Sequence, residues 1–358
     1  MLFLFLVGLV LLVLGADLLV RGASRLAVAA GIPPLVVGLT VVAFGTSAPE
    51  LAVSASSALS GQAEVAVGNV VGSNIFNVLF ILGLSALITP LAVEQQLIRR
   101  DVPLMILCSG VAFACAVDGT IGRLEGAGFV LALTIYTFWC IRAGRRESRA
   151  PTEAVAPATR TRSATWLFDV VLVVAGLALL VLGAHWLVEA TTRFARALGV
   201  SEVIVGLTIV AAGTSLPEVA TSVVAAVRGQ RDIAVGNVIG SNLFNLMGVL
   251  GVSGMVAPTG LPVPASVLAF DLPVMIAVAI ACLPIFATGH RINRWEGALF
   301  LAYYVAYTIY LALSATGHDA LTGYSWVMTT FVLPITTITI VVVAGRSWRR
   351  WSRDPTRR

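Results

Sequence analysis

The feature that most restricts this chain is a stretch that occurs twice. Residues 38–83 and 206–251 align without gaps at an offset of 168 and agree at 27 of 46 positions. What agrees is mostly Gly, Thr, Ser, Asn and Pro plus one Glu, residue types that an apolar helix normally avoids. A shared task explains them better than shared packing does. Any fold for this chain must hold two copies of one polar segment inside an apolar scaffold.

The scaffold is read from composition. Hydrophobic residues make up 58% and charged residues 11%, and mean hydropathy is +0.95, which excludes an ordinary soluble globule. Eleven apolar runs approach the roughly 20 residues needed to cross about 30 Å of hydrocarbon. They lie near 2–20, 35–59, 65–90, 101–118, 122–142, 166–189, 203–227, 233–256, 270–288, 294–313 and 324–344. The expected fold class is therefore an all-α polytopic membrane protein. The first run lacks a basic leader and a small-residue cleavage site, so it is read as a span and not as a signal peptide. Cys108, Cys115, Cys140 and Cys282 fall inside runs without metal-ligand spacing and are read as small packing residues. Every basic residue is Arg. With the N-terminus outside and the C-terminus in the cytoplasm, only Arg123, Arg193 and Arg196 of the 23 basic residues fall outside. The net charge of +5 then reflects topology and anionic lipid, and nothing points to nucleic acid.

Each copy spans five runs, an odd number, so the second must enter the membrane the other way up. The reading is two inverted-topology repeats of five transmembrane helices, 1–142 and 166–313, joined by an Arg-rich cytoplasmic linker, 143–165. An eleventh C-terminal helix at 324–344 and a basic tail at 345–358 follow. Shorter matches extend the repeat. Asp101-Val-Pro pairs with Asp271-Leu-Pro, read as helix starts capped by Asp. Arg123-Leu-Glu-Gly pairs with Arg294-Trp-Glu-Gly, and Glu125 and Glu296 are expected to snorkel to the interface.

The second run of each repeat carries Gly-Thr-Ser-x-Pro-Glu: Gly45, Thr46, Ser47, Pro49 and Glu50, then Gly213, Thr214, Ser215, Pro217 and Glu218. Proline removes a helix hydrogen bond and frees the carbonyl four residues earlier, that of Gly45 or Gly213. Broken helices at membrane depth persist only where buried or lining a cavity. Carbonyls, hydroxyls and a carboxylate are the hard donors that Na⁺ or Ca²⁺ requires. The third run carries Gly-Asn-Val-x-Gly-Ser-Asn-x-Phe-Asn, in which Asn69, Ser73 and Asn77, and Asn237, Ser241 and Asn245, form polar stripes spaced four apart. Asn69 and Asn237 are read equally well as ligands or as helix-to-helix glue. An ionised carboxylate at the bilayer centre costs about 2.5 to 3.5 kcal/mol. Glu50 and Glu218 have no basic neighbour in sequence, so a cation is their natural partner. Two carboxylates balance one Ca²⁺ and offer up to four of the roughly six to eight oxygens it takes.

These paired blocks resemble the two α-repeats of the cation/Ca²⁺ exchanger superfamily, in its prokaryotic Na⁺/Ca²⁺ exchanger-like branch. The resemblance covers residues 1–313. It implies a secondary active antiporter in the inner membrane of a prokaryotic cell. It also implies Glu50 and Glu218 as central ligands, helped by Thr46, Ser47, Thr214 and Ser215 and by Ser73, Asn77, Ser241 and Asn245. No cofactor is implied; Ca²⁺ and Na⁺, with H⁺ as the other possible coupling ion, are the transported species, and a monomer suffices. Well-known exchangers of this kind often carry Asp at one of the positions matching Asn77 and Asn245. Here both are Asn, which leaves Na⁺ and H⁺ coupling both open.

Two rivals from other classes were set beside this reading. An intramembrane hydrolase with Glu50 and Glu218 as acid and base needs a nucleophilic or metal-binding His or Cys near the pair, or basic residues to hold a phosphate-bearing lipid, and none lies at that depth. A channel gives no reason for a mirrored pair of broken helices around buried carboxylates.

Overall fold

The computed structural model describes residues 2–147, 164–197 and 211–352. Most of the expected linker, the first residues of the second block and the end of the basic tail lie outside the described residues.

A helix lies in every one of the eleven apolar runs. In chain order they are α1 (Leu2–Ala30), the broken pair α2 (Pro34–Thr46) and α3 (Ala48–Leu59), and α4 (Ala63–Ile88). Then come α5 (Val102–Ala116), α6 (Arg123–Glu147), α7 (Ala164–Ala197) and α8 (Leu216–Val227). The last four are α9 (Arg231–Val256), α10 (Val267–Ala287), α11 (Arg294–Ala315) and α12 (Ala320–Val343). Among the described residues, eight helices are long and apolar enough to cross a membrane, or nine with α2 and α3 taken as one bent span. The protein is a polytopic, mostly helical membrane protein. The helix α5 is 15 residues long and α8 is 12, and neither is among those eight.

Four two-residue strands record how the chain is wound. β1 (Leu91–Ala92) pairs antiparallel with β4 (Arg291–Ile292), and β2 (Thr120–Ile121) with β3 (Leu261–Pro262). Since β1 precedes α5 and β2 follows it, the two pairings sit at opposite ends of α5. The start of α5 therefore meets the end of α10, and these helices run in opposite directions.

The first helix packs along α7 through a glycine seam. Gly8, Gly15 and Gly22 recur every seventh residue and face Gly183, Gly176 and Asp169 in antiparallel order. A Cβ on Gly176 would stand 2.6 Å from the Leu19 amide nitrogen, and one on Gly15 would stand 2.8 Å from the Gly176 carbonyl oxygen. Backbone cannot yield as a side chain does, so Gly176→Ala is expected to cost about 1 to 3 kcal/mol. It should lower the melting temperature of the detergent-purified protein. In contrast, Gly110→Ala on α5, where an added methyl meets nothing within 4 Å, should leave it nearly unchanged. Equal shifts for the two variants would refute the seam.

Two expectations at the helix ends are corrected. Asp101 and Asp271 do not cap their helices by a side-chain hydrogen bond. Asp101 accepts from the Tyr136 hydroxyl at 3.0 Å and from Gln96 Nε2 at 3.1 Å, and Asp271 accepts from the Tyr307 hydroxyl at 2.8 Å. A Tyr–Asp bond thus pins α5 to α6, and its counterpart pins α10 to α11. The chain is already helical through both Asp positions, so no cap is needed there. Glu296 does not snorkel. It is buried and accepts from the Asn293 amide at 2.6 Å, closing the first turn of α11. Glu125 does the same for α6 by accepting from the Gly122 amide at 2.6 Å. The helix α12 lies at the periphery, with no buried residue in Ala320–Val332.

Candidate functional site

Proline sets the geometry of both broken helices. Pro49 falls in the first turn of α3 and Pro217 in the first turn of α8, where the missing N–H is harmless. The residue before each new helix, Ser47 or Ser215, takes φ −86°, ψ 8° or φ −88°, ψ 7°. The axes of α2 and α3 differ by 46°. Gly45 and Gly213 also meet α7. A Cβ on Gly45 would meet Leu177 of α7 at 2.7 Å, and one on Gly213 would meet Val188 of α7 at 2.5 Å. An added methyl at either break would force a side chain of α7 to shift.

The two breaks face each other, and their polar side chains cross. Ser47 Oγ donates to Glu218 Oε1 at 2.7 Å, and Ser215 Oγ donates to Glu50 Oε1 at 2.8 Å. Each carboxylate is thus held by the hydroxyl three residues before the other one. Both are about 1% exposed. The α4 stripe joins from the side, with Ser73 Oγ 3.3 Å from Ser215 Oγ; the Ser215 proton is committed to Glu50, so Ser73 is the donor of this pair. Ser73 therefore serves the other copy's break, not its own as a stripe facing one broken helix would suggest.

Asn69 and Asn237 are glue by their bonding. Asn69 Nδ2 donates to Ser54 Oγ at 2.9 Å, tying α4 to α3, and Asn237 Nδ2 donates to Ser222 Oγ at 2.9 Å, tying α9 to α8. Asn237 Oδ1 also accepts from Thr46 Oγ1 at 3.1 Å, which commits that hydroxyl's proton and leaves its oxygen lone pairs.

Asn77 and Asn245 are oriented by two residues that the sequence reading passed over. Asn77 Nδ2 donates to Asn242 Oδ1 at 2.9 Å, and Asn245 Nδ2 donates to Asn74 Oδ1 at 3.2 Å. Asn74 and Asn242 also donate to each other's backbone carbonyl, at 3.3 and 3.4 Å. With both amide nitrogens committed, the Asn77 and Asn245 oxygens are left over. Wide π-type turns begin at these two residues, Asn77–Leu82 and Asn245–Val249, a distortion often found at functional sites. The signal that could have found Asn74, Asn242, Ser54 and Ser222 is identity at the same offset of 168.

Within the Gly-Thr-Ser-x-Pro-Glu and Gly-Ser-Asn-x-Phe-Asn segments, the side-chain atoms left unsatisfied are all oxygens. Glu50 Oε2, Glu218 Oε2, Asn77 Oδ1, Asn245 Oδ1, Thr214 Oγ1 and Ser241 Oγ are all buried oxygens without a hydrogen-bond partner. A buried polar atom left bare costs about 1 to 3 kcal/mol, so six of them together require an explanation. No cluster of three or more His, Cys, Asp or Glu exists among the described residues. The donor set is two carboxylates with neutral amide and hydroxyl oxygens, which suits hard cations and not soft transition metals.

A family model described as sodium/calcium exchanger protein matches residues 1–142 and 168–313. The chain belongs to the sodium/calcium exchanger family. Among its relatives, the putative antiporter CaxA of Alkalimonas amylolytica is 40% identical over 320 residues, which is 87% of this chain and 98% of that one. The sodium/calcium exchanger MaX1 of Methanosarcina acetivorans is 35% identical over 342 residues, 86% of this chain and 97% of that one. A solved structure of the sodium-calcium exchanger NCX_Mj, soaked with zero Na⁺ and Ca²⁺, superposes with a TM-score of 0.73 at 32% identity. It covers 84% of this chain and 95% of that one. As a member of this family, the protein is a cation antiporter.

Proposed function

We propose that this exchanger-family protein moves Ca²⁺ against Na⁺ across a prokaryotic inner membrane, at one shared site between Glu50 and Glu218 near the midplane. The observation that carries the reading is that two buried carboxylates, each accepting from the serine beside the other, keep one bare oxygen apiece, while four neutral oxygens of the same motifs are likewise buried and unpartnered. Glu50 and Glu218 balance the charge of Ca²⁺, and Asn77, Asn245, Ser241 and Thr214 contribute neutral oxygens beside Ser47, Ser215, Ser73 and Thr46. Na⁺ competes for the same donors.

Obligatory exchange follows from electrostatics. An empty site holds two uncompensated carboxylates in a water-poor interior, at about 2.5 to 3.5 kcal/mol each. Crossing without a cation is thus slowed by several powers of ten, at about 1.4 kcal/mol per decade. Each crossing therefore carries Ca²⁺ or its competitor. The arrangement we infer is two inverted five-helix repeats plus α12, with the N-terminus outside. The pairing of β1 with β4 and of β2 with β3 supports it, because it makes α5 and α10, the matching helices of the two halves, run in opposite directions.

The test is ⁴⁵Ca²⁺ uptake into proteoliposomes, driven by an outward Na⁺ gradient in one arm and by a proton gradient in the other. Uptake is expected in the Na⁺ arm. Uptake in the proton arm alone would replace Na⁺ by H⁺ on the same site, the outcome that neutral Asn at both 77 and 245 keeps in view. Flux indifferent to either gradient would refute exchange.

A further inference from the structure

The polar stripe of each block does not end where the repeat alignment was cut. Ser85 and Ser253 stand at the same offset of 168, two residues beyond the block ends. Both side chains are buried, and neither hydroxyl has a hydrogen-bond partner. A helix serine usually satisfies itself on the carbonyl four residues back, as Ser109 does on Met105 at 2.8 Å. Ser85 and Ser253 do not.

Helix geometry places both on the helix face that carries Asn77 or Asn245. Eight residues of regular α-helix would rotate Ser85 about 80° from Asn77. The extra residue absorbed by the wide turn at Asn77–Leu82 reduces that to about 20°, at roughly 12 Å along the axis. Gly83 independently fixes the orientation. A Cβ there would meet the Gly297 carbonyl of α11 at 3.0 Å, so Ser85, about 200° further round, turns away from α11. The Gly83–Ile88 segment also packs against α8. On α8, Thr221 lies one turn after Glu218, and it too is buried with an unpartnered hydroxyl. The second copy repeats the layout. Gly251 faces the Gly126 carbonyl of α6 at 2.9 Å, and Leu250–Val256 packs against α3.

The two serines lie toward opposite faces of the membrane. Ser85 leads into β1 and Ser253 into β3, and these strands belong to the pairings at opposite ends of α5. We propose that Ser85 with Thr221 on one side, and Ser253 on the other, are hydroxyl way-stations lining the two routes by which a partly hydrated cation enters and leaves the central site. This rests on the exchange reading above. A hydroxyl with no protein partner replaces one water of a dehydrating Na⁺ or Ca²⁺ without holding the ion by charge, so it speeds passage without competing with Glu50 and Glu218.

The experiment separates passage from binding. Ser85→Leu and Ser253→Leu are each expected to slow ⁴⁵Ca²⁺ exchange in proteoliposomes at least tenfold. The rise in melting temperature on adding Ca²⁺, which reports the central site, should stay intact. Exchange at the parental rate in both would overturn the proposal. Because a buried Leu can disturb folding, Ser85→Cys and Ser253→Cys, nearly isosteric with serine, provide the second measurement. Oriented vesicles are treated with a membrane-impermeant methanethiosulfonate, with the parent protein giving the background from its own four cysteines. Each variant should lose exchange in one vesicle orientation only, and the two variants in opposite orientations. Block of both from one face, or of neither, would also overturn it. If instead the parent shows no Ca²⁺-dependent stabilisation, the central-site reading fails, and the proposal fails with it.

Discussion

Glu50→Gln or Glu218→Gln abolishes Ca²⁺ exchange and leaves a folded, membrane-inserted protein. Glutamine keeps the shape and an oxygen that still accepts from Ser215 or Ser47, so the packing around the break survives. What it loses is half the charge that balances Ca²⁺. The remaining positive charge sits at a depth where one uncompensated charge costs about 2.5 to 3.5 kcal/mol. At about 1.4 kcal/mol per decade that is roughly 60- to 300-fold in occupancy. Initial ⁴⁵Ca²⁺ uptake measures it, with size-exclusion elution reporting the fold. Wild-type flux in either variant would remove Glu50 and Glu218 from the centre of the mechanism.

The second large effect is at Asn242, which is not expected to touch the ion. Asn242→Ala deletes the oxygen that receives Asn77 Nδ2 and the amide that holds the Asn74 carbonyl. A buried amide left without its acceptor costs about 1 to 3 kcal/mol, and Asn77 recovers part of that by turning its nitrogen toward the site. A donor then faces a cation where an oxygen had been. The apparent Km for Ca²⁺ should rise ten- to hundredfold while the maximal rate falls less. An unchanged Km would show that Asn77 holds its orientation without Asn242.

The class of the protein, the positions of its helices and the residues of its polar blocks were legible in the chain because each is a local property. Apolar length marks a span whatever surrounds it, and duplication marks the chemistry without any partner being known. Partners themselves are not local. Nothing in Gly-Thr-Ser-x-Pro-Glu says that Ser47 serves Glu218 and not the Glu three residues after it. Nor does the spacing of Asn74 and Asn77 say that one orients the other's counterpart. Asp101 was misjudged for the same reason. Its proline neighbour gives a familiar helix-start pattern, while its bond partner Tyr136 lies on the next helix. The glycine seam was visible in principle, since Gly8, Gly15 and Gly22 repeat every seventh residue. A search guided by polar residues passes over it.

The crossed serine–carboxylate bonds limit how the molecule can move. At 2.7 and 2.8 Å, both break if the halves slide past one another by more than about 1 Å, since a separation of about 3.6 Å is no longer a hydrogen bond. The α3–α4–α8–α9 core is better described as a riveted plate than as two jaws. Opening toward either face then falls to whatever rides over that plate, and α7, which touches both breaks and is joined to α1 through bare glycine backbone, is the helix so placed.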